Sequence, residues 1–174
     1  MRVIAGEFRS RRLKTLPGLE TRPTPDRLRE TLFNVLGPVI PDTIFLDAYA
    51  GTGAVGIEAL SRGARRAIFV EKNRAAVEVI RDNLAALGLE SRAEVYTGRT
   101  LTVLERVTAD IVFLDPPYEK ETEYNLALTA LAASVSKLAI AQHSSRTTLK
   151  PEYGTLKRYR IIKQGDNSLS FYQS

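Results

Sequence analysis

The feature that most constrains this chain is a regular alternation of short apolar runs with helix-forming segments, which begins at Thr43. The apolar runs have the length and composition of buried strands and occupy residues 44–46, 67–70, 93–97, 111–114 and 138–141. Helices are predicted between them, at about residues 54–62, 77–87, 101–107 and 125–134. Such alternation predicts an α/β fold, a doubly wound sandwich of three layers with a ligand beyond the carboxyl ends of its parallel strands.

The chain has a different character at each end of this alternating region. Residues 159–163 and 169–172 are strand-like and flank a turn, so they predict a hairpin whose last strand is antiparallel. The sheet is then mostly parallel and seven-stranded, an arrangement typical of class I methyltransferases. At the other end, Thr24 is the predicted N-cap and Pro25 the first residue of a helix that stops at Gly37. Residues 1–25 form a small basic arm that resembles a hairpin, and residues 26–174 form the main domain.

Composition excludes several classes of protein. The chain has no cysteine, which rules out disulfides and thiolate zinc sites, and its single histidine, His143, argues against a histidine metal cluster or a Ser-His-Asp triad. We interpret His143 as a structural or cleft-lining residue. No apolar run is long enough to span a membrane and no signal peptide is recognisable. We therefore expect a cytoplasmic location, with no metal and no membrane partner.

The positive charge is clustered. The net charge is only +5, but cations crowd the first thirty residues and recur at Lys157, Arg158, Arg160 and Lys163. Such clusters favour a phosphate-bearing partner, although a solvated basic face is the alternative.

The loop after the first predicted strand, residues 47–56, is typical of a nucleotide-containing cofactor. Gly51 and Gly53 allow a tight turn, and Glu71, twenty positions after Gly51, can accept both hydroxyls of a ribose. Nicotinamide enzymes and S-adenosylmethionine enzymes share this device. Asp47 favours S-adenosylmethionine, because an acid beside the loop suits a sulfonium and an ammonium better than a pyrophosphate.

The fourth strand is followed by Asp115, Pro116, Pro117 and Tyr118. The prolines fix the backbone and leave its carbonyls free to point into a cleft. Asp115 and a carbonyl can accept both N–H bonds of an exocyclic amine, while Tyr118 stacks on the base. Two such acceptors stabilise the charge that develops on the amine during methylation. A proline turn with Asp115 as a helix cap is the structural alternative.

Several blocks together resemble one family. They are Arg-Val-Ile-Ala-Gly at 2–6 with Arg-Arg-Leu at 11–13, residues 22–34 beginning Arg-Pro-Thr-Pro-Asp-Arg, Asp-Ala-Tyr-Ala-Gly-Thr-Gly at 47–53, Glu-Ala-Leu-Ser-Arg-Gly-Ala at 58–64, and Asp-Pro-Pro-Tyr at 115–118. This combination resembles the RsmD family of 16S rRNA guanine-N2 methyltransferases, over nearly the whole chain.

The resemblance implies S-adenosylmethionine as cofactor and, as partner, 16S rRNA within an assembling small ribosomal subunit. It implies a cofactor site comprising Asp47, Ala48, Tyr49, Gly51, Thr52, Gly53, Glu71, Lys72, Gly98, Arg99 and Asp115, and a catalytic segment of Asp115, Pro116, Pro117 and Tyr118. It also implies that Arg9, Arg11, Arg12 and Arg22 would bind the rRNA and that residues 26–30 would cover the cofactor. Many class I enzymes carry an acid after the third strand; here Gly98 and Arg99 stand there, so backbone groups would recognise adenine. We expect a monomer.

Three alternatives remain open. A DNA adenine-N6 methyltransferase would share Asp115–Tyr118, but it would usually need a target-recognition domain. A dinucleotide-dependent oxidoreductase would explain the glycine loop but not the two prolines. A non-catalytic rRNA-binding assembly factor that has lost its cofactor would explain the missing acid near Gly98.

Overall fold

The strands occur where the apolar runs predict them, and they lie in one sheet. The computed structural model describes residues 1–18, 24–117, 121–134 and 137–174. The strands are β1 (Ile44–Asp47), β2 (Arg66–Glu71), β3 (Ala93–Thr97), β4 (Ile111–Leu114), β5 (Leu138–Ser144), β6 (Glu152–Tyr153), β7 (Leu156–Gln164) and β8 (Asn167–Gln173). The helices are α1 (Asp26–Leu36), α2 (Ala54–Ser61), α3 (Arg74–Leu87), α4 (Thr100–Leu104) and α5 (Glu121–Ala132).

The strand order is β3-β2-β1-β4-β5-β8-β7-β6. The pairs from β3 to β5 are parallel, and β8 is antiparallel to both β5 and β7, which confirms the mostly parallel sheet with an antiparallel last strand. The sheet has eight strands in the described chain rather than the predicted seven. The additional strand is β6, which the sequence does not predict because it is only two residues long and shows no periodicity. The order reverses between β1 and β4, and such a switch point opens a crevice at the carboxyl ends of the strands. We call that side of the sheet the carboxyl edge.

Helices cover both faces, as the alternation predicts. Leu46 and Ile68 face α4 and α5 in one apolar cluster, whereas Phe45 and Phe69 face α1, α2 and α3 in two others. Successive side chains of β1 point to opposite faces, and helices cover both faces. The strand is therefore buried on both sides. Among the described residues, no helix is long and apolar enough to cross a membrane.

Several helix boundaries differ from the prediction, among them those of α1, α4 and α5. Pro25 is extended, at φ −52° and ψ 138°, and takes the N-cap position itself, so the prediction of a Thr24 cap is wrong. Helix α5 begins at Glu121 rather than Asn125, because its first turn is acidic and carries no apolar pattern, yet acidic residues suit the positive end of a helix dipole. Helix α4 ends at Leu104, short of the predicted residue 107.

Residues 1–18 of the basic arm contain a hairpin-like segment, as predicted, which packs against α2, α3 and β2. Arg2 and Arg12 form an antiparallel bridge, and the Leu13 N–H donates to the Met1 carbonyl at 2.9 Å. Val3 and Leu13 are buried in the apolar cluster that α2 and α3 make with β2. The start of the arm is therefore part of the folded core.

Candidate functional site

The loop after β1 closes on a buried carboxylate. Asp47 is 1% exposed, and its Oδ2 accepts the N–H of Gly56 at 3.0 Å. Gly51 and Gly53 have positive φ angles of 56° and 90°, which explains glycine at both positions. Gly56 is glycine for another reason, since a Cβ there would lie 2.3 Å from the Phe69 ring. Helix α2 therefore packs closely on the sheet at Gly56.

Glu71 joins the loops that follow β1 and β2. Its carboxylate accepts the Gly51 N–H at 2.8 Å and the Asn73 N–H at 2.9 Å. A carboxylate has about four acceptor positions, so capacity remains for ribose hydroxyls. These two hydrogen bonds hold the Glu71 carboxylate in place.

Acidic groups surround Asp47. Burial raises the pKa of Asp47 to about 7, the Gly56 hydrogen bond opposes this shift, and the negative charges of Asp115 and Glu71 add to it. These groups lie at or just beyond the ends of β1, β4 and β2, which are neighbours in the sheet. The predicted cofactor loop and the predicted catalytic segment are thus within electrostatic reach of each other. We call Asp47, Glu71 and Asp115 the acidic pocket.

The catalytic segment lies next to this loop. Asp115 follows β4 directly and is half-buried, Pro116 is buried and Pro117 is exposed. The Ala48 N–H donates to the carbonyl of Phe113, near the end of β4, at 3.0 Å. Tyr118, the predicted stacking residue, lies outside the described residues.

The other predicted loop residues are tied to surrounding helices. The Tyr49 hydroxyl donates to Glu123 of α5 at 2.7 Å. Burial is the main cause that raises the pKa of Tyr49, and the Glu123 carboxylate is the second. Ala48 is fully buried, and its carbonyl accepts the Thr100 hydroxyl. It therefore fixes the loop backbone and presents no exposed surface to a ligand. The Thr52 carbonyl accepts the Asn83 amide at 3.1 Å.

The end of β3 has fewer groups available to recognise adenine than the sequence suggests. Lys72 and Arg99 are exposed and Gly98 is half-buried. The Gly98 N–H already donates to the Glu71 carbonyl at 3.1 Å. Adenine recognition by this N–H would require that bond to break, which leaves the Gly98 carbonyl and Arg99 as the available groups.

A second buried carboxylate fixes the arm. Glu58 of α2 is 0% exposed and accepts the N–H groups of Ile4 and Ala5 at 2.9 and 3.0 Å. It also accepts Arg62 Nε at 2.9 Å. One turn later, Ser61 Oγ accepts the Phe8 N–H at 3.0 Å. The sequence block at residues 58–64 therefore has a physical role, because Glu58 and Ser61 hold the arm against α2. We call these two residues the dock.

Arg29 completes this dock from α1. It is fully buried, and its Nη2 donates to the Arg2 carbonyl at 2.6 Å and to Asp26 at 3.2 Å. Burial lowers the pKa of Arg29, and the charges of Glu58 and Asp26 oppose that shift. Its Nε and Nη1 have no hydrogen-bond partner in the described parts of the chain. Arg29 thus ties the arm to the helix predicted to cover the cofactor.

The predicted RNA-contacting arginines lie on the exposed side of the arm. Arg9, Arg11 and Arg12 are exposed, and Arg11 Nη2 donates to the Ala86 carbonyl at 3.2 Å. Arg22 lies outside the described residues. Asn83 connects the arm to the cofactor loop, because it accepts the Lys14 N–H at 2.7 Å and donates to Thr52.

The sequence interpretation overlooked three polar residues. Glu58, Ser61 and Asn83 are all buried, on helices whose buried faces are otherwise mostly apolar. A polar residue at a buried helical position was the available signal. His143 is also buried, with Nε2 2.8 Å from Ser170 Oγ, as its structural interpretation requires. No group of three or more potential metal ligands occurs within the described ranges.

A family model and several known proteins are similar to this chain. A family model described as "Conserved hypothetical protein 95" matches residues 1–173. The Escherichia coli protein named ribosomal RNA small subunit methyltransferase D is 42% identical over 121 residues, which cover 69% of this chain and 61% of that protein. YlbH of Bacillus subtilis, provisionally named an rRNA methyltransferase, is 35% identical over 182 residues, 99% of this chain and 98% of YlbH. The solved structure of yhhF from Escherichia coli, provisionally named a methyltransferase, superimposes with a TM-score of 0.88 at 34% identity and covers 99% of this chain and 97% of its own.

Proposed function

Because this chain belongs to the RsmD family of small-subunit rRNA methyltransferases, we propose that it transfers a methyl group from S-adenosylmethionine to N2 of a guanine in 16S rRNA. The observation that carries this proposal is the acidic pocket: Asp47 is buried at the end of β1, and the charges of Glu71 and Asp115 act on it from the ends of the two neighbouring strands. The name of the Escherichia coli relative supports the substrate class.

The acidic pocket suits the charge of this cofactor. The strongest charges acting on buried Asp47 are negative, so a cationic ligand would lower the free energy of the ionised site. When bound, S-adenosylmethionine supplies an electrophilic methyl group on a positively charged sulfur. Glu71 would accept the ribose hydroxyls, and the backbone of residues 51–53 would lie along the amino-acid part. Gly51 leaves room for such contact, because nothing lies within 4 Å of the position its Cβ would take.

The catalytic segment would hold the target base. Asp115 and the carbonyls around the prolines would accept the N–H bonds of the guanine amine and stabilise the positive charge that grows on its nitrogen. Pro116 and Pro117 would keep these acceptors fixed, and Tyr118 would stack on a base rotated out of its helix. The product ammonium loses its proton readily, so no imidazole is required.

The arm would bind the substrate. Arg9, Arg11, Arg12 and Arg22 would contact rRNA phosphates, with residues 1–25 as the RNA-contact segment and residues 26–174 as the methyltransferase domain. Residues 26–30 begin the helix that Arg29 ties to the arm, which supports a cover over the cofactor. The substrate would be a partly assembled small subunit in the cytoplasm.

A methylation assay tests the proposal. Purified protein and labelled S-adenosylmethionine are incubated with small ribosomal subunits from cells lacking the modification, and the label is mapped by mass spectrometry. We expect N2-methylguanine in 16S rRNA, with no label on subunits that are already modified. Label on unmethylated DNA alone, or calorimetric binding of NAD without binding of S-adenosylhomocysteine, would overturn the proposal.

A further inference from the structure

Strand β7 has an edge that no strand covers for most of its length. It pairs with β8 from Lys157 to Gln164, but with β6 only at Leu156 and Lys157. The Arg158 N–H still donates to the Pro151 carbonyl at 2.9 Å. From Tyr159 onward, no other described strand pairs with the outer edge, and we call Tyr159–Lys163 the β7 edge.

The β7 edge is positively charged. Arg160 and Lys163 are exposed, and strand β7 contains no acidic residue. Neither cation forms an ion pair within the described parts of the chain. The nearest acid in sequence, Asp166, lies in the following turn and is exposed. The edge is therefore a site of unneutralised positive charge.

Protection against aggregation does not explain this edge fully. Charged residues and bulges are common on unpaired strands, where they prevent pairing with other chains, and the register here shifts between Arg158 and Arg160. An edge that served protection alone would avoid exposed apolar groups. Instead, Tyr159 is 47% exposed and Ile161 is 42% exposed, and both belong to the few large hydrophobic side chains exposed in the described chain.

The β7 edge extends towards the proposed active site. Gln164 pairs with Asn167, which also pairs with Ser144 at the end of β5, so β7 ends at the carboxyl edge. The Thr31 hydroxyl of α1 lies 3.5 Å from Gln164 Oε1. A ligand at Lys163 would therefore be on the same side of the sheet as Asp115.

We propose that the β7 edge is a second rRNA-binding surface, separate from the arm. Arg160 and Lys163 bind backbone phosphates, and Tyr159 provides an exposed aromatic face against which an unpaired base packs. The inference rests on the proposed function, because it takes rRNA to be the substrate. Charge complementarity selects RNA over an apolar protein partner.

The salt dependence of RNA binding tests this surface. The affinity of a 16S rRNA fragment is measured against salt for the wild type and for R160Q/K163Q, after thermal melting shows that both fold. Two lost phosphate contacts should reduce the slope of log K against log salt by about 1.4 to 1.8, and weaken binding roughly 30-fold at about 0.1 M salt. Tyr159→Ser should weaken binding with little change in slope.

The matched control is R106Q/K137Q. Arg106 and Lys137 are exposed and precede β4 and β5, so they lie at the opposite edge of the sheet, and the net charge changes equally. The inference requires a slope change in R160Q/K163Q that the control lacks. Equal slopes in the two variants would overturn it, as would normal RNA binding combined with weakened binding to whole subunits, which would assign the edge to a ribosomal protein. The two proposals can fail separately. If R160Q/K163Q shows the expected change in slope but the wild type methylates no subunit, the proposed function is overturned and the β7 edge remains supported as an RNA-binding surface.

Discussion

Two buried carboxylates of this protein have similar hydrogen bonds but opposite surroundings. Asp47 accepts one backbone N–H at the switch point, and Glu58 accepts two from the arm. Glu58 also contacts Arg62 and acts on buried Arg29, whereas the charges acting on Asp47 come from Asp115 and Glu71. Burial and hydrogen bonding alone therefore do not distinguish the two sites. The sign of the surrounding charge does: it explains Glu58 as a structural anchor and supports the proposal that Asp47 belongs to a ligand site.

The largest effect is expected from removing the anchor's charge. Glu58→Gln keeps the shape of the side chain but leaves Arg29 and Arg62 without their shared counter-charge. Breaking a buried ion pair in this way should lower the free energy of unfolding by about 3–5 kcal/mol, measured by urea denaturation. Glu78→Gln is the control, because its pair with Arg81 is exposed and should contribute under about 1 kcal/mol. Equal losses in the two variants would remove the contrast between anchor and surface.

Within the acidic pocket, Asp115 should affect turnover most. Asp115→Asn replaces a charged acceptor with a neutral amide, which keeps one acceptor oxygen but cannot balance the positive charge that develops on the amine. Single-turnover methylation should slow by about 100- to 1000-fold, while calorimetric binding of S-adenosylhomocysteine changes little. A loss of cofactor binding that matched the loss of rate would show that Asp115 serves the cofactor instead.

Glu71 should show the reverse pattern. Glu71→Ala removes the proposed ribose acceptor and should weaken cofactor binding by about 1.5–3 kcal/mol. At saturating cofactor, the rate should be largely retained. Glu94→Ala, whose carboxylate pairs with Arg66 at a neighbouring strand, is the control and should leave the dissociation constant unchanged. A rate defect that persists at saturation would assign Glu71 to the chemical step.

The last prediction concerns pH. Burial raises the pKa of Asp47 to about 7, above the value of about 3.9 expected in the unfolded chain. A carboxyl shifted upwards contributes stability below its unfolded pKa and loses that contribution as pH rises through its folded pKa. The cofactor-free protein should therefore lose stability between about pH 4 and pH 7 relative to Asp47→Asn. If the cofactor requires the ionised form, its binding should tighten about tenfold from about pH 6 to pH 8 in the wild type only.

The sequence predicts the centre of the sheet well because β1, β2, β4 and β5 are buried on both faces and read as continuous apolar runs. It does not predict β6, whose two residues carry no period, or the start of α5, where charges replace the apolar pattern. The strand ends of the acidic pocket could be predicted because Asp47, Glu71 and Asp115 each follow an apolar run. The dock could not, because Glu58 finds its partners 53 and 54 residues away in the arm.

Gly56 and Phe69 illustrate a further consequence of this architecture. The missing Cβ of Gly56 leaves space that the Phe69 ring fills, while the Gly56 N–H holds Asp47. The two positions are therefore expected to change together during evolution. A relative with alanine at the first position should carry a smaller side chain at the second, and a change at one alone would displace the acid that the cofactor is proposed to meet.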